Sequence, residues 1–114
     1  VVDDQWGRPT YGIDLARTVL KLISNDTMDT LPILHYANKG MCNWKEFAEA
    51  IINELEHKTT IQGIPTSAYP TLAKRPKYSI LDTGQIEKEL QIEIPTWQES
   101  LKKCIQILKS DGSL

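Results

Sequence analysis

Two stretches of this chain carry the same local instruction, and nothing else in the sequence constrains the fold as much. Asn43 and Glu46, and again Thr96 and Glu99, stand three residues apart at the head of apolar residues with helical spacing. A short polar side chain at an N-cap accepts from the amide three residues on, and a Glu there reaches back to the cap. Two of the four unpartnered amides of a helix start are thereby satisfied. Behind the first pair, Trp44, Phe47, Ala48, Ile51 and Leu55 follow the 3.6-residue period; behind the second, Trp97, Leu101, Cys104, Ile105 and Leu108 do. Cys42 and Phe47 fall at hydrophobic-staple positions around the first cap. These signals predict helices over 43–57 and 96–110, the latter closed by Lys109 and Gly112. Asp82 and Gln85 read as a third cap pair, opening a helix over 83–90. A fourth helix is expected over 12–24, with Thr10 as its cap, Asp14 in or near the first turn, and Ile13, Ala16, Val19, Leu20 and Ile23 on one face.

The segments between the helices are short or irregular. Val1-Val2 is β-branched and reads as a strand end, after which Asp3–Thr10 mixes charge, amide, indole, Gly and Pro as a loop with groups to present. A polar loop between a strand and a helix is where α/β proteins tend to place ligand contacts. Ser24–Thr30 is a polar connector, Leu31–Ala37 a largely buried strand, Asn38–Gly40 a turn, Thr59–Ile64 a second strand and Gln91–Ile94 an extended segment. Pro65, Pro70 and Pro76 fall within twelve residues, so that stretch is a stiffened loop without regular structure. A long ordered loop of this kind is more often functional than idle.

Composition excludes several classes of function. The 114 residues, 40% hydrophobic and 25% charged, allow one domain with a moderate core. The net charge of −2 gives no basic footprint for nucleic acid, and no apolar run approaches the ~20 residues that span a bilayer. Cys42 and Cys104 are read as free buried thiols in a reducing cytoplasm. Gly7 and Gly12 lack the spacing of a dinucleotide fingerprint, and no Tyr is followed by a Lys at the fourth residue. No residues have zinc-ligand spacing, and the adjacent Asp3 and Asp4 would point to opposite faces of an extended segment. No catalytic, cofactor-binding or metal-binding residue is therefore expected. His35, Trp44 and Trp97 are read as core residues, whereas Trp6, beside Gly7 and Arg8 in the polar loop, is open to ligand or partner contact. What the chain does offer is a set of anion and hydroxyl contacts. Arg8 and Arg75 are planar donors suited to phosphate, and Gln5, Thr10, Tyr78 and Ser79 can bond hydroxyls or a base edge.

Two motifs carry a family resemblance. Val2-x-Asp4-Gln5-x-Gly7-x-Pro9-Thr10 resembles the segment after the Rossmann core in dTDP-4-dehydrorhamnose reductases, which are extended short-chain dehydrogenase/reductases. Pro65-Thr66-Ser67-Ala68-Tyr69-Pro70-Thr71-x-Ala73-x-Arg75-Pro76-x-x-Ser79-x-Leu81 resembles a later loop of that family. Ile33-x-His35, Trp44 with Phe47, and Pro95-x-Trp97 match it in order and approximate spacing. The resemblance implies an α/β fold in which residues 1–114 are the C-terminal sugar-nucleotide-binding portion of a longer chain. It comprises about four helices with two or three short strands, without the Rossmann core. Gln5, Arg8, Thr10, Arg75 and Tyr78 are the expected substrate-binding residues. The family reduces a dTDP-4-dehydro-6-deoxyhexose to dTDP-L-rhamnose with NADPH or NADH. The cofactor and the catalytic Tyr and Lys would lie upstream, so the isolated piece is expected to be inactive and to bind no cofactor. The strand over Leu31–Ala37 would pair with the missing Rossmann sheet, and its free edge would favour self-association. The expected location is the cytoplasm, with neither nucleic acid nor membrane as partner. The alternative from another functional class is a non-catalytic relative that binds a protein, as the regulatory subunit of methionine adenosyltransferase does.

Overall fold

The computed structural model describes residues 1–25 and 33–114. In chain order its elements are β1 (Trp6–Gly7), α1 (Gly12–Ile23), β2 (Cys42–Asn43), α2 (Trp44–Glu54), a 3-10 turn over Thr66–Ala68, α3 (Gly84–Leu90) and α4 (Trp97–Ser110). The strands β1 and β2 pair antiparallel, Trp6 opposite Asn43 and Gly7 opposite Cys42. Isolated parallel bridges add Val2 to Ile64, Trp6 to Tyr78 and Lys39 to Thr96. The fold is thus α/β with four helices among the described residues, as the sequence implied.

Both capping boxes form. The Asn43 side chain accepts from the Glu46 amide at 2.9 Å, and that of Thr96 accepts from the Glu99 amide at 3.3 Å. Each Glu returns the bond, accepting from the cap amide at 3.3 Å and 2.9 Å respectively. The other two helix starts differ from expectation. Thr10 does not cap α1: Tyr11 holds the cap position, and its amide donates to Asn38 Oδ1 at 2.8 Å. Asp82 does not pair with Gln85: it lies one residue ahead of the cap, Thr83, and accepts from the Gly84 amide at 2.9 Å. Lys109 donates to Glu54 O at 2.8 Å, so it satisfies the C-terminal end of α2 and ties it to α4.

The face of α1 is the largest departure from the sequence reading. Ile13, Ala16, Val19, Leu20 and Ile23 are exposed, whereas Asp14 and Thr18 are buried. The cause is a polar network on the opposite face. The Asp14 carboxylate accepts from Asn38 Nδ2 at 3.0 Å and from Ser100 Oγ at 2.5 Å. Asn38, with no exposed surface, also faces Pro95 O at 3.2 Å and Ser100 Oγ at 2.9 Å. A buried carboxylate must be hydrogen-bonded, so this network fixes the rotation of the helix and leaves the apolar stripe outside. The radius of gyration, 16.6 Å, exceeds the ~13 Å of a compact chain of this length.

The core is correspondingly divided. Ile86, Leu90 and Ile94 form one cluster, with Leu22, Leu34, Tyr36 and Ile92 packed on it. Elsewhere Trp97 is buried and meets Phe47 edge-on at 5.8 Å, which joins α4 to α2. Three further expectations are corrected. Among the described residues Ile33–Ala37 joins no strand and His35 is exposed; Leu31, Pro32 and residues 26–30 of the connector lie outside those residues. The strand expected over Thr59–Ile64 reduces to one bridge at Ile64, whose amide donates to Val1 O at 2.9 Å and whose carbonyl accepts from the Asp3 amide at 3.0 Å. Gln91 is not extended: it takes a left-handed conformation at φ 47° and closes α3, with the Ile92 amide bonded back to Glu87 O at 3.1 Å.

Replacing Asn38 with Ala strips the buried Asp14–Ser100 pair and the Tyr11 amide of a hydrogen-bond partner. The expected loss is about 2–4 kcal/mol, from two or more buried groups left unsatisfied. Urea denaturation measures it, and a midpoint equal to that of the unchanged chain would count against the network.

Candidate functional site

The site is built on the backbone of Trp6. Its amide donates to Lys77 O at 2.9 Å and its carbonyl accepts from the Ser79 amide at 2.9 Å, while β2 pairs on the other side. The polar opening loop, the start of α2 and the end of the proline-rich loop are thereby brought together. They enclose a cavity of about 370 Å³. Gln5, Trp6, Gly7, Arg8 and Pro9 line it from the opening loop, Cys42, Asn43, Trp44 and Phe47 from β2 and α2, and Arg75, Pro76 and Ser79 from the later loop. A second, larger hollow of about 820 Å³ adjoins it, walled by Val1, Val2, Ala48, Ile51, Ile64, Tyr69 and Thr71. Gln5, Trp44, Phe47 and Arg75 line both.

Of the five residues expected to touch substrate, three therefore converge on one cavity: Gln5, Arg8 and Arg75. Thr10 lies instead beside a small hollow with Tyr11, Asn38 and Trp97, and Tyr78 lines a third with Arg8, Lys39 and Glu87. The sequence reading missed Trp44. Placed in the core by its stripe, it is 57% exposed at the first position of α2 and stands where the two large hollows meet. Trp6, left open by the sequence, lines the smaller of these.

The polar groups of the site are held by different means. Arg8 Nη1 donates to Leu81 O at 2.9 Å, and its Nε is buried with no partner among the described residues. Arg75 forms no ion pair among the described residues, and Glu87 is taken by Lys39 at 2.9 Å. Gln5 Nε2 donates to Thr66 Oγ1 at 3.0 Å, and Thr66 in turn donates through its hydroxyl and amide to Asp4 at 2.5 and 2.8 Å. This chain of bonds anchors the proline-rich loop to the opening loop. Burial, with the nearby Glu46 charge, pushes the Cys42 thiol up to about 11, so the cysteine beside the cavity is a neutral wall and not a nucleophile at neutral pH. Among the described residues no group of three His, Cys, Asp or Glu could hold a metal ion, and no helix is long and apolar enough to cross a membrane.

The Thr66 hydroxyl, and after it the Thr66 amide, hold the Asp4 carboxyl below its ordinary value. A depressed carboxylate stabilises the fold in full above the unfolded value of about 3.9 and loses that effect as pH falls through the folded one. The Thr66 amide resonance is therefore expected to titrate with a midpoint below about 3.9 and to stay flat at neutral pH. Asp4→Asn should abolish the transition; a midpoint at or above the ordinary value would contradict the anchoring.

Comparison with known proteins agrees with this geometry. The model of the RmlD substrate binding domain matches residues 1–110. The spore coat polysaccharide biosynthesis protein SpsK of Bacillus subtilis is 42% identical over 93% of this chain and 36% of its own length. A dTDP-4-dehydrorhamnose reductase of Aggregatibacter actinomycetemcomitans is 38% identical over 90% of this chain and 38% of its own. Two solved reductases superpose on it. That of Clostridium acetobutylicum has a TM-score of 0.85 at 36% identity and is matched over 96% of this chain and 38% of its own. That of Bacillus anthracis, in complex with NADP, has a TM-score of 0.84 at 34% identity, over 90% of this chain and 36% of its own. The chain thus spans well under half the length of these relatives. With the family model matching nearly end to end, the chain belongs to the RmlD substrate binding domain family.

Proposed function

We propose that this chain is the substrate-binding part of a reductase that converts dTDP-4-dehydro-L-rhamnose to dTDP-L-rhamnose with NADPH or NADH. The observation that carries the reading is the convergence of Gln5, Arg8 and Arg75 on one cavity in a chain of this family. Arg75 supplies a planar fork for the diphosphate, and the unpartnered Arg8 Nε–H is a donor for a ligand oxygen. Gln5, Asn43 and Ser79 offer amide and hydroxyl groups to a hexose. Thr10 and Tyr78, on the neighbouring hollows, are the weaker members of the expected set. The reductase names of the relatives favour this reading over a regulatory, protein-binding one.

The nicotinamide cofactor belongs to another part of the enzyme. At the helix beside the site, α1, the cap amide of Tyr11 is occupied by Asn38 and no Gly-rich turn precedes it, so the residues present do not fit a dinucleotide and no hydride step is assigned to them. The exposed stripe of α1, with Leu20 at 65% and Ile23 at 64%, is the face on which the Rossmann portion would rest. A cytoplasmic location goes with this reading.

Three outcomes test it. The chain by itself should not oxidise NADPH in the presence of the keto-sugar nucleotide; turnover above a protein-free control would refute the division of labour. By size-exclusion chromatography it should self-associate through the uncovered stripe, and Leu20→Glu with Ile23→Glu should return it to a monomer. In the full-length reductase, Arg75→Lys should raise KM for the sugar nucleotide roughly ten- to a hundredfold, the equivalent of one charge-assisted bond of ~1.5–3 kcal/mol, while Tm stays nearly constant. An unchanged KM in Arg75→Ala would remove Arg75 from the site.

A further inference from the structure

Trp44 and Trp6 are the largest side chains at the site, and Trp44 is the more exposed of the two. It opens α2 with 57% of its surface in water, although its neighbour in the stripe, Phe47, packs on Trp97. A large exposed aromatic between two hollows is informative where an exposed leucine would not be. The two hollows differ in chemistry. The 370 Å³ cavity is lined by Asn43, Ser79 and Arg8. The 820 Å³ hollow presents Val2, Ile51, Ile64 and the ring of Tyr69. Arg75 lines both, at their boundary.

This order of wall chemistry matches the order of parts in a nucleoside diphosphate sugar. A hexose presents hydroxyls that need hydrogen-bond partners when buried. A diphosphate is the central linker and carries the charge. A pyrimidine has two apolar faces that stack on aromatic rings with little dependence on sequence or edge chemistry. We infer that Trp44 is the platform on which the nucleobase stacks, on the side of the larger apolar hollow, with the diphosphate at Arg75 and the hexose in the smaller cavity. The inference rests on the sugar-nucleotide reading above and adds to it a direction of binding and a residue that sets affinity for the nucleoside end.

The test is titration of the protein with dTDP, followed by calorimetry and by indole emission. Base stacking on Trp44 quenches part of the emission. Trp44→Phe keeps a ring: it should retain most of the affinity while the dTDP-dependent quench falls to what Trp6, on the adjoining cavity, contributes. Trp44→Leu keeps apolar bulk without a ring: it should bind dTDP roughly ten- to a hundredfold more weakly, with an unchanged Tm because the side chain is mostly in water. Binding by Trp44→Leu as tight as that of the unchanged protein would overturn the inference, as would a quench in Trp44→Phe as large as that of the unchanged protein. Either result, with tight dTDP binding by the unchanged protein, leaves the sugar-nucleotide reading standing. Absence of dTDP binding by the unchanged protein removes both.

Discussion

The buried carboxylate of Asp14 is the constraint on which the rest of the structure depends. Asn38 and Ser100 reach it from sequence positions 24 and 86 residues away. Three segments far apart in the sequence are joined at one point. Because Asn38 also accepts from the Tyr11 amide, the same point fixes where the opening loop ends and α1 begins. A charge in that position is stable only with every partner in place, so the network specifies one arrangement and penalises others steeply. Lys39 continues the link, its amide bonded to Pro95 O and its carbonyl to the Trp97 amide, so α4 enters in a fixed register beneath the site.

How much of this was legible in the sequence follows from distance along the chain. The capping boxes at Asn43 and Thr96 were legible because both partners lie within four residues, and the helices behind them formed at nearly the expected bounds. Gln5, Arg8 and Arg75 were legible as a set because loop composition and family motifs single them out, and all three line one cavity. The rotation of α1 was not legible. Hydrophobic period identifies a face but not what it meets, and the polar partners that decided the matter are far away in sequence. Trp44 failed for a related reason: its position in the stripe of α2 is correct, yet the stripe extends one residue past the packing supplied by α4. Thr10 lost its capping role to Asn38 in the same way, since a side chain from 27 residues off already held the amide.

Electrostatics divide the site into fixed and available groups. Asp4, Glu87 and Lys39 are committed to Thr66, to the Ile94 amide and to each other, and serve the scaffold. Arg75 and Trp44, by contrast, stand at the boundary of the hollows without such commitments in the hydrogen bonds and ion pairs described above. Arg8 and Arg75, both on the smaller cavity and neither in an ion pair among the described residues, would together supply a positive local field for an anionic ligand.

The two-residue strand at Trp6 has a consequence for how the molecule is made. Its backbone is occupied on one edge by β2 and on the other by Lys77 and Ser79, the latter 73 residues away. Each of these closures costs chain entropy before any contact repays it. As the polypeptide leaves the ribosome, α1 and α2 can form from local signals, but the cavity has no third wall until residue 79 has emerged. The cavity is therefore incomplete until that point, and any slowing of synthesis before it leaves the Trp6 edge and its apolar neighbours open to wrong partners.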